Sequence, residues 1–390
     1  MNRRIFLRSA GLVLAGTALT PGVFARMAMA STTKGRKTLV TIFQRGAVDG
    51  LNMVVPYAES AYYTARPSIA ISRPGQEGGA LDLDGFFGVH PALAPLVPYF
   101  KDKSAAFIHA AGSPDSTRSH FDAQDFMESG TPGVKSTRDG FLARALGKKA
   151  NGSPLSAVSM TSSLPRILAG SADAIAMTDI SRFNVRQHAG SFEQMYASSA
   201  SEAFEASKIL SAAASARLAP ANGAEYPRTP LGNSLKQIAQ LIRSDVGLEV
   251  AFADVEGWDT HAGQGGSNGQ LANSLRQFAA AIAAFARDLG SRMSDVVLVT
   301  TSEFGRTVRE NGNRGTDHGH GTVMMTLGGA IKGGKVHGRW PGLSSLYEGR
   351  DLAVTTDFRD VFAPLLTAHL GVADIRQVFP RYEVRPLRLI

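Results

Sequence analysis

The chain has 390 residues, with 41 Lys or Arg against 33 Asp or Glu, a formal charge of +8, and no cysteine. The first thirty residues hold Arg3, Arg4, Arg8 and Arg26 and no acid, so without them the charge falls by four, to +4. The composition excludes a disulfide framework, a thiolate zinc site and an iron–sulfur cluster, and the lack of any Lys/Arg run excludes a nucleic-acid stripe.

The amino end reads as an export address. Asn2-Arg3-Arg4-Ile5-Phe6-Leu7-Arg8 places a twin arginine before a mildly apolar stretch, Ala10 to Leu19, and Ala28-Met29-Ala30 offers the small-x-small pattern of signal-peptidase cleavage. The apolar stretch is too short to span a hydrocarbon core of ~30 Å. Residues 1–30 are therefore expected to be a twin-arginine signal peptide that engages the twin-arginine translocase, delivering a periplasmic or secreted protein. No later apolar run approaches membrane-spanning length, so no stable span is expected in residues 31–390.

Thr38 to Phe43 is a continuous apolar, β-branched run that predicts a buried strand, ending in the turn Gln44-Arg45-Gly46-Ala47-Val48-Asp49-Gly50. Pro91 to Phe100 has helical spacing, Ala105 to Ala110 predicts a second buried strand, and Ser119 to Glu128 a helix. Residues 151–235 carry fewer strand signals and more alanine and serine; they read as a helical insertion over the site, with Ser191 to Leu218 its clearest helix. Leu231 to Arg243 and Leu271 to Leu289 predict helices, whereas Leu248 to Ala253, Val296 to Thr300 and Val323 to Leu327 predict strands. Such alternation specifies an α/β domain over 31–390, a mostly parallel sheet with helices on both faces.

Three polar clusters sit at the ends of those strands: Trp258-Asp259-Thr260-His261, Ser302-Glu303-Phe304-Gly305-Arg306-Thr307 and Gly315-Thr316-Asp317-His318-Gly319-His320-Gly321. Ligands gather at the carboxyl edge of open α/β sheets, so acids and histidines there are placed to bind. Imidazole plus carboxylate without thiol suits zinc, manganese or magnesium. Asp259 and His261, like His318 and His320, are two residues apart, and in extended backbone such pairs face one side. Asp49 reads either as a turn former beside glycine or as a first carboxylate ligand. Ser119 reads either as a helix N-cap or as a hydroxyl nucleophile at a helix start, with Arg118 and Arg45 to grip an incoming oxyanion.

Taken together, Arg45 to Asn52, Ser119-His120-Phe121, Gly257 to His261, Ser302 to Arg306 and Gly315 to Gly321 resemble a widespread bacterial family of twin-arginine-exported proteins of unknown function, placed with the alkaline phosphatase and sulfatase superfamily. The resemblance implies an alkaline-phosphatase-like α/β sandwich and one or two divalent ions. It implies metal ligands among Asp49, Asp259, His261, Glu303, Asp317, His318 and His320, and Ser119 as nucleophile. The sequence departs from the superfamily at Phe304, which stands where a histidine ligand is usual and cannot coordinate, so a second ion lacks a ligand unless Asp317 or His120 replaces it. The implied activity is hydrolysis of a phosphate or sulfate ester, a small anionic molecule or an envelope component. The alternative is a catalytically degenerate binding or assembly protein that keeps the fold and one metal.

Overall fold

The computed structural model describes residues 36–147, 155–171, 174–180 and 223–390. Its strands are β1 (Thr38–Gln44), β2 (Val54–Val55), β3 (Leu81–Asp82), β4 (Gly88–Val89), β5 (Ala105–Gly112), β6 (Ala157–Ser159), β7 (Ala174–Ala176), β8 (Val250–Val255), β9 (Val296–Thr301), β10 (Thr322–Gly328), β11 (Val336–His337) and β12 (Thr356–Asp357). A nine-stranded sheet runs in the order β11-β5-β10-β9-β1-β8-β6-β7, with β12 also on β5, while β2, β4 and β3 form a small separate sheet. All neighbours in the large sheet pair parallel except β10, which runs antiparallel to both β9 and β5.

The alternation of side chains along each strand divides the core in two. Val40 and Ile42 of β1, with Ala251 of β8 and Leu298 of β9, face one apolar layer that includes Leu235, Leu275 and Phe278. Leu39 and Phe43, with Phe252 and Val299, face the other, built with Phe141, Phe358 and Phe362. Both faces are therefore covered by helices, which is why β1, β5, β9 and β10 are buried along their whole length and read as unbroken apolar runs.

The helices follow from local chemistry. Gln270–Leu289 buries its Leu, Phe and Ala stripe over twenty residues, and Pro230–Arg243 begins on a Thr229 cap whose hydroxyl accepts from Gly232 N. Two expectations shift in detail. Pro91 to Phe100 is one 3-10 turn, Pro91–Leu96, followed by a short α-helix, Val97–Lys101, because Pro95 and Pro98 remove backbone donors. Within 151–235, β6 and β7 extend the main sheet beyond β8, and the expected Leu231 to Arg243 helix, Pro230–Arg243, starts only at the range's end. The Ser191 to Leu218 helix lies outside the described residues.

Register sets the functional edge. Gln44 pairs with Val255 and Phe43 with Thr301, so β1, β8 and β9 end side by side. Because β10 is reversed, its first residue, Thr322, lies on the same edge opposite Ala111 near the end of β5. The loops after β1, β5, β8 and β9 and the loop before β10 thus emerge together. Phe278 also supports that edge, packing edge-on against Trp258 at 5.6 Å between centroids, one residue before Asp259. Phe278→Ala is expected to cost about 3–5 kcal/mol in urea unfolding, since a fully buried ring leaves a cavity under this loop.

Candidate metal centre

Backbone ties draw the loops together before any side chain converges. Thr316 N donates to Thr260 O, Thr307 N to Asp317 O, and Gly319 N to Gly305 O. Gly315 and Gly319 are needed for that approach: a Cβ on either would lie 2.4 Å from the His261 carbonyl carbon or 2.3 Å from that of Arg306.

Around the point so created, His120, Asp259 and His318 each offer a donor atom, all within 4.8 Å of one another. His120 Nε2 stands 3.0 Å from His318 Nε2 and 3.5 Å from Asp259 Oδ2, and His318 Nε2 is 3.3 Å from Asp259 Oδ1. His261 flanks the trio, its Nε2 lying 3.0 Å from both His318 Nε2 and Asp259 Oδ1. The site is open, with the Asp259 side chain 45% exposed.

The outer ring nitrogens decide the proton inventory. His120 Nδ1 is 2.8 Å from Glu303 Oε1, His261 Nδ1 is 3.0 Å from Asp317 Oδ1, and His318 Nδ1 is 2.9 Å from the Arg118 carbonyl. A carboxylate and a carbonyl only accept, so each Nδ1 carries the hydrogen, and every neutral ring presents a lone pair at Nε2. With all three rings neutral, the centre is three acceptor nitrogens beside a carboxylate, with no hydrogen between the rings. Burial favours the neutral carboxyl of Glu303, yet bonds from His120, Gln124 and Gly46 N overcome it and hold its pKa below the usual range. Burial likewise opposes ionisation of Asp259, but Arg306 and the three histidines keep its pKa lowered. The Glu303 bond raises the pKa of His120, whereas desolvation lowers that of His318.

Donors about 2.0–2.2 Å from an ion at tetrahedral angles stand roughly 3.3–3.6 Å apart, a range that the two spacings from Asp259 to His318 and His120 meet, while the 3.0 Å pairs would have to open by a few tenths of an ångström. Histidine ligands whose other nitrogen is held by a carboxylate or carbonyl are the usual second layer of such sites. Glu303 and Asp317, expected as direct ligands, bond to the Nδ1 atoms of His120 and His261. His120, expected from sequence only as a replacement for the ligand lost at Phe304, has its Nε2 in the cluster itself. Phe304 packs on the same rings, stacked on His120 at 5.0 Å and tilted against His318 at 5.1 Å.

Several expected residues point elsewhere. Asp49 is buried in an ion pair, its Oδ2 accepting from Arg66 Nη1 and Gln264 Nε2, each at 2.6 Å. His320 stacks on Tyr347 at 4.5 Å instead of joining His318, because the 315–321 segment is not a regular strand and spacing by two no longer keeps side chains on one side. Ser119 caps its helix, Oγ accepting from Asp122 N at 3.5 Å. Arg118 is bound to Glu348 and Asp351, and Arg45 to Asp254, Gln124 and Glu128. The cation beside the cluster is instead Arg306, whose Nη2 lies 2.8 Å from Asp259 Oδ1 with its side chain fully buried.

The fold and the site together define an α/β protein with an open nitrogen-and-oxygen donor cluster at the carboxyl edge of its sheet. Residues 36–389 match the family described as "Protein of unknown function (DUF1501)", and the chain belongs to that family. No curated protein matches the chain. Among solved structures, the C-terminal periplasmic domain of EcEptC from Escherichia coli, in complex with Zn, is 11% identical over 75% of this chain and 73% of that one, with a TM-score of 0.39. The lipoteichoic acid synthase LtaP from Listeria monocytogenes is 9% identical over 87% and 73%, with a TM-score of 0.38. The PsFucS1 sulfatase from Pseudoalteromonas sp. is 12% identical over 91% and 73%, with a TM-score of 0.34.

The two aspartates should separate on mutation. Asp49→Ala strands the Arg66 charge in the interior and is expected to cost about 3–5 kcal/mol in stability while sparing metal binding. Asp259→Asn, which keeps an amide oxygen for the buried Arg306 to donate to, should lose metal at a smaller cost in stability. Denaturation and metal content measured on both variants check the assignment.

Proposed function

We propose that this protein is an exported hydrolase of phosphate or sulfate esters that works with a divalent ion held by His120, Asp259 and His318, with His261 alongside. The observation that supports this most is the proton inventory: three neutral rings with Nε2 lone pairs and a carboxylate aimed at one another are stabilised by a cation between them. An open donor cluster favours a reactive site over a structural one, since structural zinc sites are closed. When bound, such an ion supplies Lewis acidity to an ester oxygen.

The chain's own residues do the rest. Glu303, Asp317 and the Arg118 carbonyl fix the three rings by accepting at Nδ1, so the lone pair of each neutral ring lies at Nε2. Phe304 keeps water from the ring faces it covers. Among the described residues no hydroxyl bonds to any of the four donor side chains, so the attacking oxygen comes from solvent and Ser119 serves as a cap. A second reading, a binding protein that holds an ion without turnover, draws on the engagement of Ser119, Arg118 and Arg45 elsewhere.

Metal content and turnover of an aryl phosphate and an aryl sulfate test these readings. His318→Ala should lose both metal and turnover, while Ser119→Ala should keep both within a few-fold, the cap costing about 1 kcal/mol of stability. A loss of ~10³-fold in Ser119→Ala with metal retained would make serine the nucleophile. Bound metal with no turnover in the unaltered protein would favour the binding reading.

Export by the twin-arginine route is part of the proposal, supported by Arg3-Arg4 and the short apolar segment behind them. Among the described residues no helix is long and apolar enough to cross a membrane. Replacing both arginines by lysine should leave uncleaved precursor in the cytoplasm. Normal export of that variant would reject the route.

A further inference from the structure

Arg45 joins the two elements that lead to His120 and Asp259. The helix His120–Ser129 opens on His120, and Gln124 and Glu128 follow it at successive steps of four residues, along one side of the helix. Arg45 Nη1 reaches both, 2.9 Å from Gln124 Oε1 and 3.0 Å from Glu128 Oε1. Its Nε donates to Asp254 Oδ2 of β8 at 2.7 Å, and Asp254 lies five residues before Asp259. One guanidinium therefore spans the helix that carries His120 and the strand that leads to Asp259.

The span is held on every side. The guanidinium carbon stands 4.6 Å over the Phe43 ring of β1 and 6.0 Å from the Phe252 ring of β8. Arg45 N donates to Val255 O at 2.9 Å, which fixes its backbone to β8 as well. Glu128 is buried, and its other oxygen accepts from Ile167 N at 2.8 Å. Because the guanidinium donates to Gln124 Oε1, the amide is turned with Nε2 toward Glu303 Oε1, at 2.9 Å. That same carboxylate oxygen accepts from His120 Nδ1 at 2.8 Å. The chain of contacts thus runs unbroken from Arg45 through Gln124 and Glu303 to the ring of His120.

We infer that Arg45 is a positioning residue that clamps the helix His120–Ser129 to β8 and so sets the reach of His120 Nε2 to Asp259 and His318. The inference rests on the proposed metal reading and goes beyond it, because it gives a residue that touches none of the proposed ligands a part in their spacing. Its three side-chain acceptors lie on two elements, and a planar fork meets them together. A lysine keeps the charge but has a single nitrogen, which cannot hold both elements in the same geometry. Ligand distances are narrowly defined, so a small drift of the helix is felt as weaker binding.

The test measures zinc affinity of the full protein by competition with a chromophoric chelator, with circular dichroism to show which variants fold. Arg45→Lys keeps the charge without the fork. Arg45→Met combined with Glu128→Gln removes the guanidinium and the buried carboxylate charge together, so neither is left unpaired. Both are expected to bind zinc about 10–100-fold more weakly, the range for residues that support metal ligands from behind. Gln124→Leu strands no charge and carries the test where the Arg45 variants do not fold; it too should weaken binding. Combined with an Arg45 variant, its effect should be much less than additive, because the two act in one chain of contacts. Zinc affinity within twofold of the unaltered protein in a folded variant, full recovery by lysine, or strictly additive effects would overturn the role of Arg45 and leave the metal site standing. Failure of the unaltered protein to bind zinc overturns the metal reading and this inference with it.

Discussion

The site is governed by where three hydrogens sit. Glu303, Asp317 and the Arg118 carbonyl each claim the Nδ1 hydrogen of one histidine, and the price is that all three Nε2 atoms face one another as acceptors, at 3.0 Å in the two closest pairs. Two lone pairs at that distance repel unless something positive lies between them. A protonated ring or a bound metal ion supplies it, and the half-open geometry with Asp259 beside the rings favours the ion.

Much of the surrounding structure keeps this unfavourable arrangement in place. Parallel register brings β1, β8 and β9 to a common end, and the reversed β10 returns the 315–321 segment to the same edge. The Asp49–Arg66 pair, buried and joined by Gln264, ties the loop after β1 to those after β8 and before β10, because Gln264 Oε1 accepts from both Thr260 and Thr316 hydroxyls. Asp49 thus contributes as a buried strut paired with Arg66, while Asp259, paired with Arg306, stays half-exposed at the open face. Removing one partner of a buried pair is costly, which is why a strut of this kind is rigid.

The architecture was legible because strands covered on both faces read as unbroken apolar runs, and β1, β5, β8, β9 and β10 all announced themselves in that way. The three-residue strands β6 and β7 did not, being too short to show a pattern. Within the site, Asp259, His261 and His318 were legible as acids and imidazoles at strand ends. His120 was overshadowed by Ser119 before it, whose hydroxyl at a helix start fitted a nucleophile as well as a cap. The layering of Glu303 and Asp317 behind the histidines depends on contacts across 183 and 56 residues, which no local pattern encodes. The same holds for the diversion of Asp49 by Arg66 and of His320 by Tyr347. Arg306 sat in a recognised motif, but its burial beneath Asp259 is a property of the folded edge alone.

The central claim is that one ion sits among His120, Asp259 and His318. Crystals grown with zinc and measured on both sides of the zinc absorption edge would locate the ion directly. The account predicts an anomalous peak about 2.0–2.1 Å from the Nε2 atoms of His120 and His318 and about 2.0–2.2 Å from an Asp259 carboxylate oxygen. A peak at Asp49 or His320, or none within reach of the three residues, would contradict it.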